Sequence, residues 1–336
     1  MQVIGKVRTK KSISVIIPAY NAERTIDRCL KSILSQSFLD FDVYVVNDGS
    51  TDNTKNVLKK YTTYPNIFIF NKKNDGVSNA RNYALKFVDS QFVVFVDSDD
   101  YVEKDYLKHL IEAICDKKYD MAITGINTIK SGYIINKTNY KEGIYSAEDM
   151  LTEILNQNGP QGYLWNKIFK LSIIKKYNLK FNSDISMAED LLFCVKYLIH
   201  SNCVSILNNI DYNYVKDGEG LAYTASLYNK NKNYREAYED YIKSLKLINK
   251  IIPREYKNTC FFAKARLGKV YSEFLRIMLL NKCDDKCLYI KVRGLALQNK
   301  RYVYNTKKLK NKEKISFFLV IYFPKIMYFL DKKRFR

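Results

Sequence analysis

The chain has 336 residues, 47% of them hydrophobic, which is enough for a full core and for more than one compact unit. Its net charge of +21 indicates an anionic partner, either a phosphorylated substrate, an acidic membrane surface or a nucleic acid, although an AT-rich coding sequence would give the same bias. Seven scattered cysteines argue against a disulfide framework and for a reducing compartment. Residues 1–11 contain no apolar signal core, so we expect a cytoplasmic protein.

Strands and helices alternate through the first hundred residues. Apolar, β-branched runs predict four strands, at residues 13–17, 43–46, 67–70 and 92–96. Helical periodicity predicts a helix after each of the first three strands, at residues 26–34, through residue 58 and at 78–88. This alternation predicts an α/β fold with a mostly parallel, doubly wound sheet.

The pattern changes in the second half of the chain. Between about 101 and 220 it is mixed, with helices predicted at residues 106–115, 150–155 and 191–200. Beyond residue 225 it is helical, basic and rich in tyrosine, with no cluster of catalytic residue types. We therefore expect a first domain at residues 12–225 and a helical C-terminal region at 226–336.

The C-terminal tail combines apolar and basic residues. Residues 315–330 are strongly apolar, but Pro324 and Lys325 interrupt them and they are too short to cross a bilayer. Residues 301–336 contain eleven Lys or Arg and two acidic residues. The tail is expected to lie on an anionic membrane surface. A helix packed on the core, or a homodimer contact, would explain the same pattern.

Three carboxylates, Asp97, Asp99 and Asp100, follow the fourth predicted strand within four positions. Such carboxylates repel one another unless a cation lies among them, and Mg²⁺ or Mn²⁺ prefers oxygen ligands. A polar turn is the alternative, because Asp and Ser both favour turns. Residues 18–21 and 47–52 also fall at the carboxyl ends of predicted strands, where parallel sheets bind ligands. The sequence thus predicts a ligand site at that edge.

Several other functions lack their defining residues. The loop at residues 18–21 has no glycine, and a P-loop is absent, which excludes classical dinucleotide and P-loop sites. A nucleotidyltransferase would need a Gly/Arg-rich triphosphate loop after the first strand. A nucleic-acid binder would carry basic residues at the motif edge, whereas this edge is acidic, so no nucleic-acid partner is expected.

Six segments occur in the order SVIIPAYN at 14–21, NDGSTD at 47–52, GVSNARN at 76–82, DSDD at 97–100, WNK at 165–167 and EDLLF at 189–193. Together they resemble the nucleotide-sugar domain of family 2 glycosyltransferases, over roughly residues 12–225. The resemblance implies a GT-A fold. It also implies inverting transfer of a hexose or N-acetylhexosamine from a UDP-sugar to a hydroxyl of a glycan.

The resemblance also implies roles for individual residues. The donor would be bound by Pro18, Ala19, Tyr20, Asn21, Asp48, Arg81, Asp97 and Ser98. Asp97 and Asp99 would hold Mg²⁺ or Mn²⁺, and Asp190 would be the general base that deprotonates the acceptor hydroxyl. Acceptor-side or secondary roles fall on Trp165, Glu189, Asp100 and Lys216.

Each assignment has a structural alternative. Asp48 could be a turn or capping residue, Arg81 a surface ion pair, and Trp165 a core residue. Asp190 could belong to an ordinary acidic first turn of a helix.

One departure from the family pattern concerns the loop at residues 211–220, which we interpret as a lid. Val215 stands where the family carries an arginine, and Lys216 is the available substitute. By resemblance, the acceptor would be lipid-linked and would serve capsule, exopolysaccharide or cell-surface glycan synthesis. The enzyme would then be peripheral on the inner face of the plasma membrane. A catalytically inactive nucleotide-sugar-binding subunit is the alternative.

Overall fold

The computed structural model describes residues 10–115, 119–216 and 234–334, and these fall into two compact units. The first unit comprises the described residues up to 145 together with 163–183 and 200–216. The second comprises 146–162, 184–199 and the described residues from 234 onward. The domain boundary expected near residue 225 lies outside the described residues.

Ten strands of the described chain form one sheet. They are β1 (Ile13–Ala19), β2 (Phe41–Asp48), β3 (Ile67–Lys72), β4 (Phe92–Phe95), β5 (Tyr101–Val102), β6 (Met121–Lys130), β7 (Tyr133–Thr138), β8 (Gly143–Ser146), β9 (Lys167–Lys170) and β10 (Cys203–Val215). The strand order is β3-β2-β1-β4-β9-β6-β10-β5, with β7 beside β6 and β8 beside β10.

The first four strands are the predicted ones, and they pair in parallel. Ile13 of β1 lies opposite Phe41 of β2 on one side and Phe92 of β4 on the other. All residues of β1, β2 and β4 are buried, as is typical of strands covered on both faces. Beyond β4 the sheet is mixed, because β9 pairs antiparallel with both β4 and β6, whereas β6 and β10 are parallel.

Thirteen helices lie in the described residues. Those of the first unit are α1 (Ile26–Leu34), α2 (Thr54–Lys59), α3 (Val77–Leu85), α4 (Tyr106–Cys115) and α6 (Leu171–Lys176). Those of the second are α5 (Ala147–Leu155), α7 (Glu189–Leu198), α8 (Tyr234–Ile251), α9 (Lys257–Leu280), α10 (Lys286–Gln298), α11 (Lys300–Asn305), α12 (Asn311–Tyr322) and α13 (Pro324–Arg334).

The second unit is helical and is built around α9. This helix of 24 residues contacts α5, α8, α10, α11, α12 and α13. Its buried Arg266 donates to the carbonyl oxygens of Ile154 (3.2 Å) and Leu155 (2.6 Å), so a cation satisfies the carboxyl end of α5. Of the helices described, none is both long enough and apolar enough to cross a membrane.

Candidate active site

The carboxyl ends of β1, β2 and β4 meet at one edge of the first unit's sheet, because these strands are parallel and in register. β1 ends at Ala19 and β2 at Asp48, while Asp97 follows two residues after β4. The structure thus brings three of the predicted clusters to one edge. Within the first of them, Pro18 and Ala19 are buried, whereas Tyr20 and Asn21 are exposed.

Asn21 joins the first two loops. It has a positive φ of 48°, which Asn tolerates better than most residues. Its N–H donates to Ser50 Oγ (3.0 Å), and its side-chain oxygen accepts from the N–H of Thr51 (2.8 Å). Gly49 also has a positive φ, and a Cβ there would lie 2.4 Å from the backbone nitrogen of Asn74. Glycine at this position therefore allows the loop after β2 to approach the segment between β3 and α3 closely.

Asp48 is buried and forms an ion pair with Lys72. Its carboxylate also accepts from the N–H of Asp75 at 3.1 Å. These contacts place the carboxylate at a strand end rather than at the start of a helix, unlike a capping residue. The sequence did not single out Lys72, because only the register that sets it opposite Asp48 reveals the pair.

Arg81 reaches the carboxylate cluster from α3. Its side chain is 7% exposed, so it is not the surface ion pair considered as an alternative. Its Nη2 donates to Asp97 Oδ1 at 3.2 Å, and its Cζ lies 5.4 Å from the ring centroid of Phe181. A guanidinium beside a strand-end carboxylate is suited to bind phosphate or a base edge.

Asp100 is a structural member of the carboxylate trio. It is fully buried, and its two oxygens accept from the hydroxyl of Tyr212 (2.8 Å) and the N–H of Val215 (2.7 Å). The Tyr212 hydroxyl in turn accepts from the N–H of Asp97 (3.2 Å). Burial, followed by the charges of Asp99 and Asp97, raises the pKa of Asp100 well above its usual value.

Asp99 is placed differently, because it reaches solvent. Its backbone carbonyl accepts from Arg28 Nη2 at 2.6 Å. The protein atoms around its carboxylate desolvate it, and the charge of Asp97 adds to this, so its pKa is raised to about 6. Ser98, which is half-buried, separates the two carboxylates.

Asp97 and Asp99 together fit a hard divalent cation. Both offer oxygen, and the like charges that raise the pKa of Asp99 would be relieved by Mg²⁺ or Mn²⁺. The described ranges contain no group of three or more His, Cys, Asp or Glu placed to hold a metal ion. A cation held by these two carboxylates would leave coordination positions for substrate phosphate and water, which Mg²⁺ commonly binds.

Trp165 lies in a stack of aromatic rings. Its ring centroid is 4.8 Å from that of Tyr163 and 4.4 Å from that of Tyr212, at interplanar angles of 14° and 20°. Its backbone carbonyl accepts from the buried Tyr106 hydroxyl at 2.7 Å. With 6% of its surface exposed, Trp165 fits the packing alternative better than stacking on an acceptor sugar.

Lys216 follows β10 and is exposed. Its Nζ lies 5.7 Å from the ring centroid of Tyr214, and its N–H donates to the carbonyl of Ile129 (2.8 Å). The rest of the loop interpreted as a lid, residues 217–220, lies outside the described residues.

Asp190 belongs to the second unit, where α7 begins at Glu189. Both acidic residues are half-buried, and Asp190 Oδ1 accepts from the N–H of Leu191 at 2.6 Å. Ala188 precedes the helix with a left-handed φ of 59°. A Cβ at Gly162 would lie 2.3 Å from the Cα of Leu191, so only glycine allows α7 to begin where it does.

The segment before α7 is held by α8, an arrangement that the sequence analysis missed. Asp240 accepts from the N–H and hydroxyl of Ser186 at 3.0 and 2.6 Å, and Ser244 Oγ donates to the carbonyl of Met187 at 2.8 Å. Asp240 and Ser244 are four residues apart on a helix, a spacing that is also typical of a solvent-exposed helix face. Their contacts with residues 186 and 187 therefore could not be predicted from the sequence.

Comparisons with known proteins agree with this architecture. The model of the family "Glycosyl transferase family 2" matches residues 14–179. Poly(ribitol-phosphate) beta-N-acetylglucosaminyltransferase TarS of Staphylococcus aureus strain MW2 is 28% identical over 289 residues, 85% of this chain and 49% of that protein. Poly(ribitol-phosphate) beta-glucosyltransferase of Bacillus spizizenii is 29% identical over 281 residues, 82% of this chain and 43% of that protein. The chain thus spans about half the length of these relatives or less.

A solved structure extends the likeness to most of the fold. The crystal structure of residues 1–349 of S. aureus TarS superposes with a TM-score of 0.67 at 23% identity, covering 92% of this chain and 90% of that one. Residues 14–179 therefore form a domain of glycosyl transferase family 2, in a chain that has a GT-A fold with a helical C-terminal region.

Proposed function

We propose that the protein is an inverting glycosyltransferase that transfers a hexose or N-acetylhexosamine from a UDP-sugar to a hydroxyl of a glycan. The observation that carries this proposal is the placement of Asp48, Arg81, Asp97 and Asp99 at one edge of the parallel strands. Crystal structures of TarS in complex with UDP-GlcNAc and with UDP, both related in fold, support a UDP-linked donor.

The donor would lie along this edge. Asp48 would accept hydrogen bonds from a nucleoside N–H or ribose hydroxyl, with Lys72 and the N–H of Asp75 fixing its carboxylate. The exposed Tyr20 and Asn21 would border the base, with Pro18 and Ala19 buried beneath them. Arg81, held against Asp97, would face the nucleotide, and Ser98 would lie within reach of the ribose.

Asp97 and Asp99 would hold Mg²⁺ or Mn²⁺. A neighbour in fold, the mannosyltransferase PcManGT of Pyrobaculum calidifontis, was crystallised with GDP-Man and Mn²⁺, which supports a divalent cation in this architecture. When bound, the cation would supply positive charge to the departing diphosphate.

Asp190 would act on the acceptor. Its carboxylate would take the proton of the acceptor hydroxyl as that oxygen bonds to the anomeric carbon and the bond to the diphosphate breaks, releasing UDP. One displacement inverts the anomeric centre, so an α-linked donor gives a β-linked product. Glu189 lies beside it in the first turn of α7, and we assign it a secondary role.

The acceptor and location complete the proposal. The two relatives named above act on poly(ribitol-phosphate), so a polyol phosphate is the first acceptor to test, followed by a lipid-linked glycan. We place the enzyme in the cytoplasm at the inner face of the plasma membrane, in capsule, exopolysaccharide or cell-surface glycan synthesis. Lys216 would take the place of the family's arginine beside the diphosphate of the donor.

A donor panel tests this proposal. The protein is incubated with UDP-GlcNAc, UDP-glucose, UDP-galactose or GDP-mannose, each with Mg²⁺, Mn²⁺ or EDTA, and UDP or GDP release and transfer to the two acceptors are measured. We expect a UDP-sugar to be used, a β-linked product by NMR, and loss of activity in EDTA. An α-linked product, or full activity of Asp99→Asn in EDTA, contradicts the proposal.

The same assay separates the enzyme from an inactive nucleotide-sugar-binding subunit. Asp190→Asn should abolish transfer while UDP affinity, measured by calorimetry, stays within about twofold of the wild type. Glu189→Gln is the matched control and should retain most of the activity. Tight UDP-sugar binding by the wild type without transfer to any acceptor would favour the inactive subunit.

A further inference from the structure

The last two helices, α12 and α13, carry a row of exposed apolar side chains. We call it the tail face; its residues are Ile315, Phe318, Tyr322, Phe323, Ile326, Phe329 and Leu330. Between 42% and 58% of each residue's surface is exposed. Soluble proteins rarely expose so many large apolar residues together unless the surface has a partner.

These residues form one surface rather than isolated exposures. In α12, Phe318 and Tyr322 follow Ile315 by three and seven residues, and in α13, Phe329 and Leu330 follow Ile326 by three and four, which places each set on one side of its helix. Phe323 lies at the junction between the two helices. The ring of Phe318 lies 5.1 Å from that of Tyr322 and 5.7 Å from that of Phe323 at the junction, where α12 and α13 contact each other. Other apolar residues of the two helices, including Phe317 and Met327, are buried. A different side of each helix therefore packs against the core.

The charges around the tail face have one sign. Residues 311–334 contain two acids, and both point inward: Glu313 forms an ion pair with Lys269, and Asp331 receives Arg276 Nη2 and Nε at 2.5 and 3.0 Å. Their side chains are 14% and 3% exposed. The described lysines of this segment that are exposed are Lys312, Lys325, Lys332 and Lys333.

We propose that the tail face binds the surface of an anionic phospholipid bilayer, with α12 and α13 lying in the plane of the interface. Apolar side chains flanked by lysines match the two parts of such a surface, the acyl boundary and the phosphate head groups. Pairing with a second copy would set the lysines of one tail against those of the other, so charge argues against a homodimer here. An acidic protein partner is an outcome of the test below.

The proposal adds a partner to the proposed function and does not require sugar transfer. Vesicle binding is measured without donor or acceptor, so its failure would remove the membrane location from the proposed function but leave sugar transfer standing, and the reverse also holds.

Vesicle sedimentation tests the proposal. The full chain is mixed with phosphatidylglycerol–phosphatidylcholine vesicles or with phosphatidylcholine alone, at low and high salt. We expect binding only to the anionic vesicles, weakened by salt. Phe318→Ser with Phe329→Ser should reduce binding at least about tenfold. Lys325→Glu with Lys332→Glu and Lys333→Glu should reduce it at least about a hundredfold, since each lysine near the surface contributes about fivefold.

Matched controls use exposed residues of the first unit. Ile135→Ser removes an apolar residue of similar exposure, and Lys55→Glu with Lys59→Glu and Lys73→Glu makes the same charge change; both should bind vesicles like the wild type. All variants should keep the wild-type melting temperature, because the changed side chains are exposed. Equal loss in both charge variants would show that net charge alone drives binding, and would overturn the proposal.

Two other outcomes also overturn it. If the wild type fails to bind anionic vesicles and light scattering shows a dimer that the phenylalanine variant dissociates, the tail face is a contact between copies. If the wild type is a monomer that does not bind vesicles but binds an acidic protein through the same residues, that protein is the partner of the tail face.

Discussion

Tyr212 donates a hydrogen bond to Asp100 across 2.8 Å, although the two residues lie 112 positions apart in the chain. The same hydroxyl accepts from the N–H of Asp97, so one phenol fixes the backbone of the first carboxylate and the side chain of the third. Asp99 projects to solvent between them. The three acids therefore differ in their surroundings: Asp100 is buried and holds the loop in place, whereas Asp97 is half-buried and Asp99 is exposed.

Replacing Tyr212 by Phe should destabilise the protein. The change leaves a buried carboxylate oxygen and the N–H of Asp97 without their partner, which costs about 1–3 kcal/mol in the free energy of unfolding, measured with urea. Tyr214→Phe, on the same strand, is the control, because the structure gives its hydroxyl no hydrogen bond among the described residues, and it should change this free energy little. Equal changes in the free energy of unfolding of the two variants would argue against these two hydrogen bonds of Tyr212.

Asp99→Asn should stabilise the metal-free protein in a pH-dependent way. The pKa of Asp99 is raised from its ordinary value near 3.8 to about 6, so the folded state disfavours its charged form. This destabilisation is absent below pH 4, where the group is protonated in both states, and is complete above pH 6. Melting curves in EDTA should therefore coincide for wild type and Asp99→Asn at pH 4 and separate at pH 7.5, with the variant melting higher. A variant that melts lower at pH 7.5 would contradict the raised pKa.

Asp240 should act as a positioning residue. It fixes Ser186, four residues before Asp190, through two hydrogen bonds. Asp240→Asn should lower kcat about tenfold or more, because a displaced base loses much of its effect, while the KM for the donor stays unchanged. Glu239→Gln, whose carboxylate pairs with Arg235 on the exposed side of α8, is the control and should be fully active. Rescue of kcat by Asp240→Glu would further support positioning; a rise in donor KM instead would count against it.

Ala188→Gly should stabilise the second unit. A left-handed backbone strains alanine by about 1–2 kcal/mol, and the greater freedom of unfolded glycine offsets part of that, leaving a gain of about 0.5–1 kcal/mol. Ala265→Gly in the interior of α9 should have the opposite sign and cost at least about 1 kcal/mol. Urea unfolding of both variants measures the difference. If Ala188→Gly also destabilises, the turn before α7 is not strained as described.

Local patterns predicted the elements around the site well, because periodicity and β-branching act within a few residues. The four parallel strands were expected from such patterns, and α1 buries Ile26, Leu30 and Ile33 as its spacing predicted. Helix ends were less accurate: the third helix ends at Leu85 rather than 88, and the one expected at 191–200 begins at Glu189.

Pairings between distant segments were beyond the sequence. Strand β10, with 13 residues, was not predicted, since its alternation of burial is interrupted by register shifts against β6. Lys72 and Tyr212 became visible as partners of Asp48 and Asp100 only through strand register. The roles of Asp190 and of Asp97 with Asp99 remain predictions that the experiments above address, and the role of Arg81 also remains a prediction.

The inward ion pairs of Glu313 and Asp331 have a consequence for how the tail is oriented. Their partners, Lys269 and Arg276, both lie on α9, seven residues apart, so one side of this helix anchors the first turn of α12 and the last turn of α13. Rotation of either α12 or α13 about its axis would separate a carboxylate from its counter-ion. Two cations of α9, one buried and one half-buried, thus set which residues the chain turns outward at its end. The rotational setting of the tail is encoded 44 and 55 residues before the carboxylates that these cations hold.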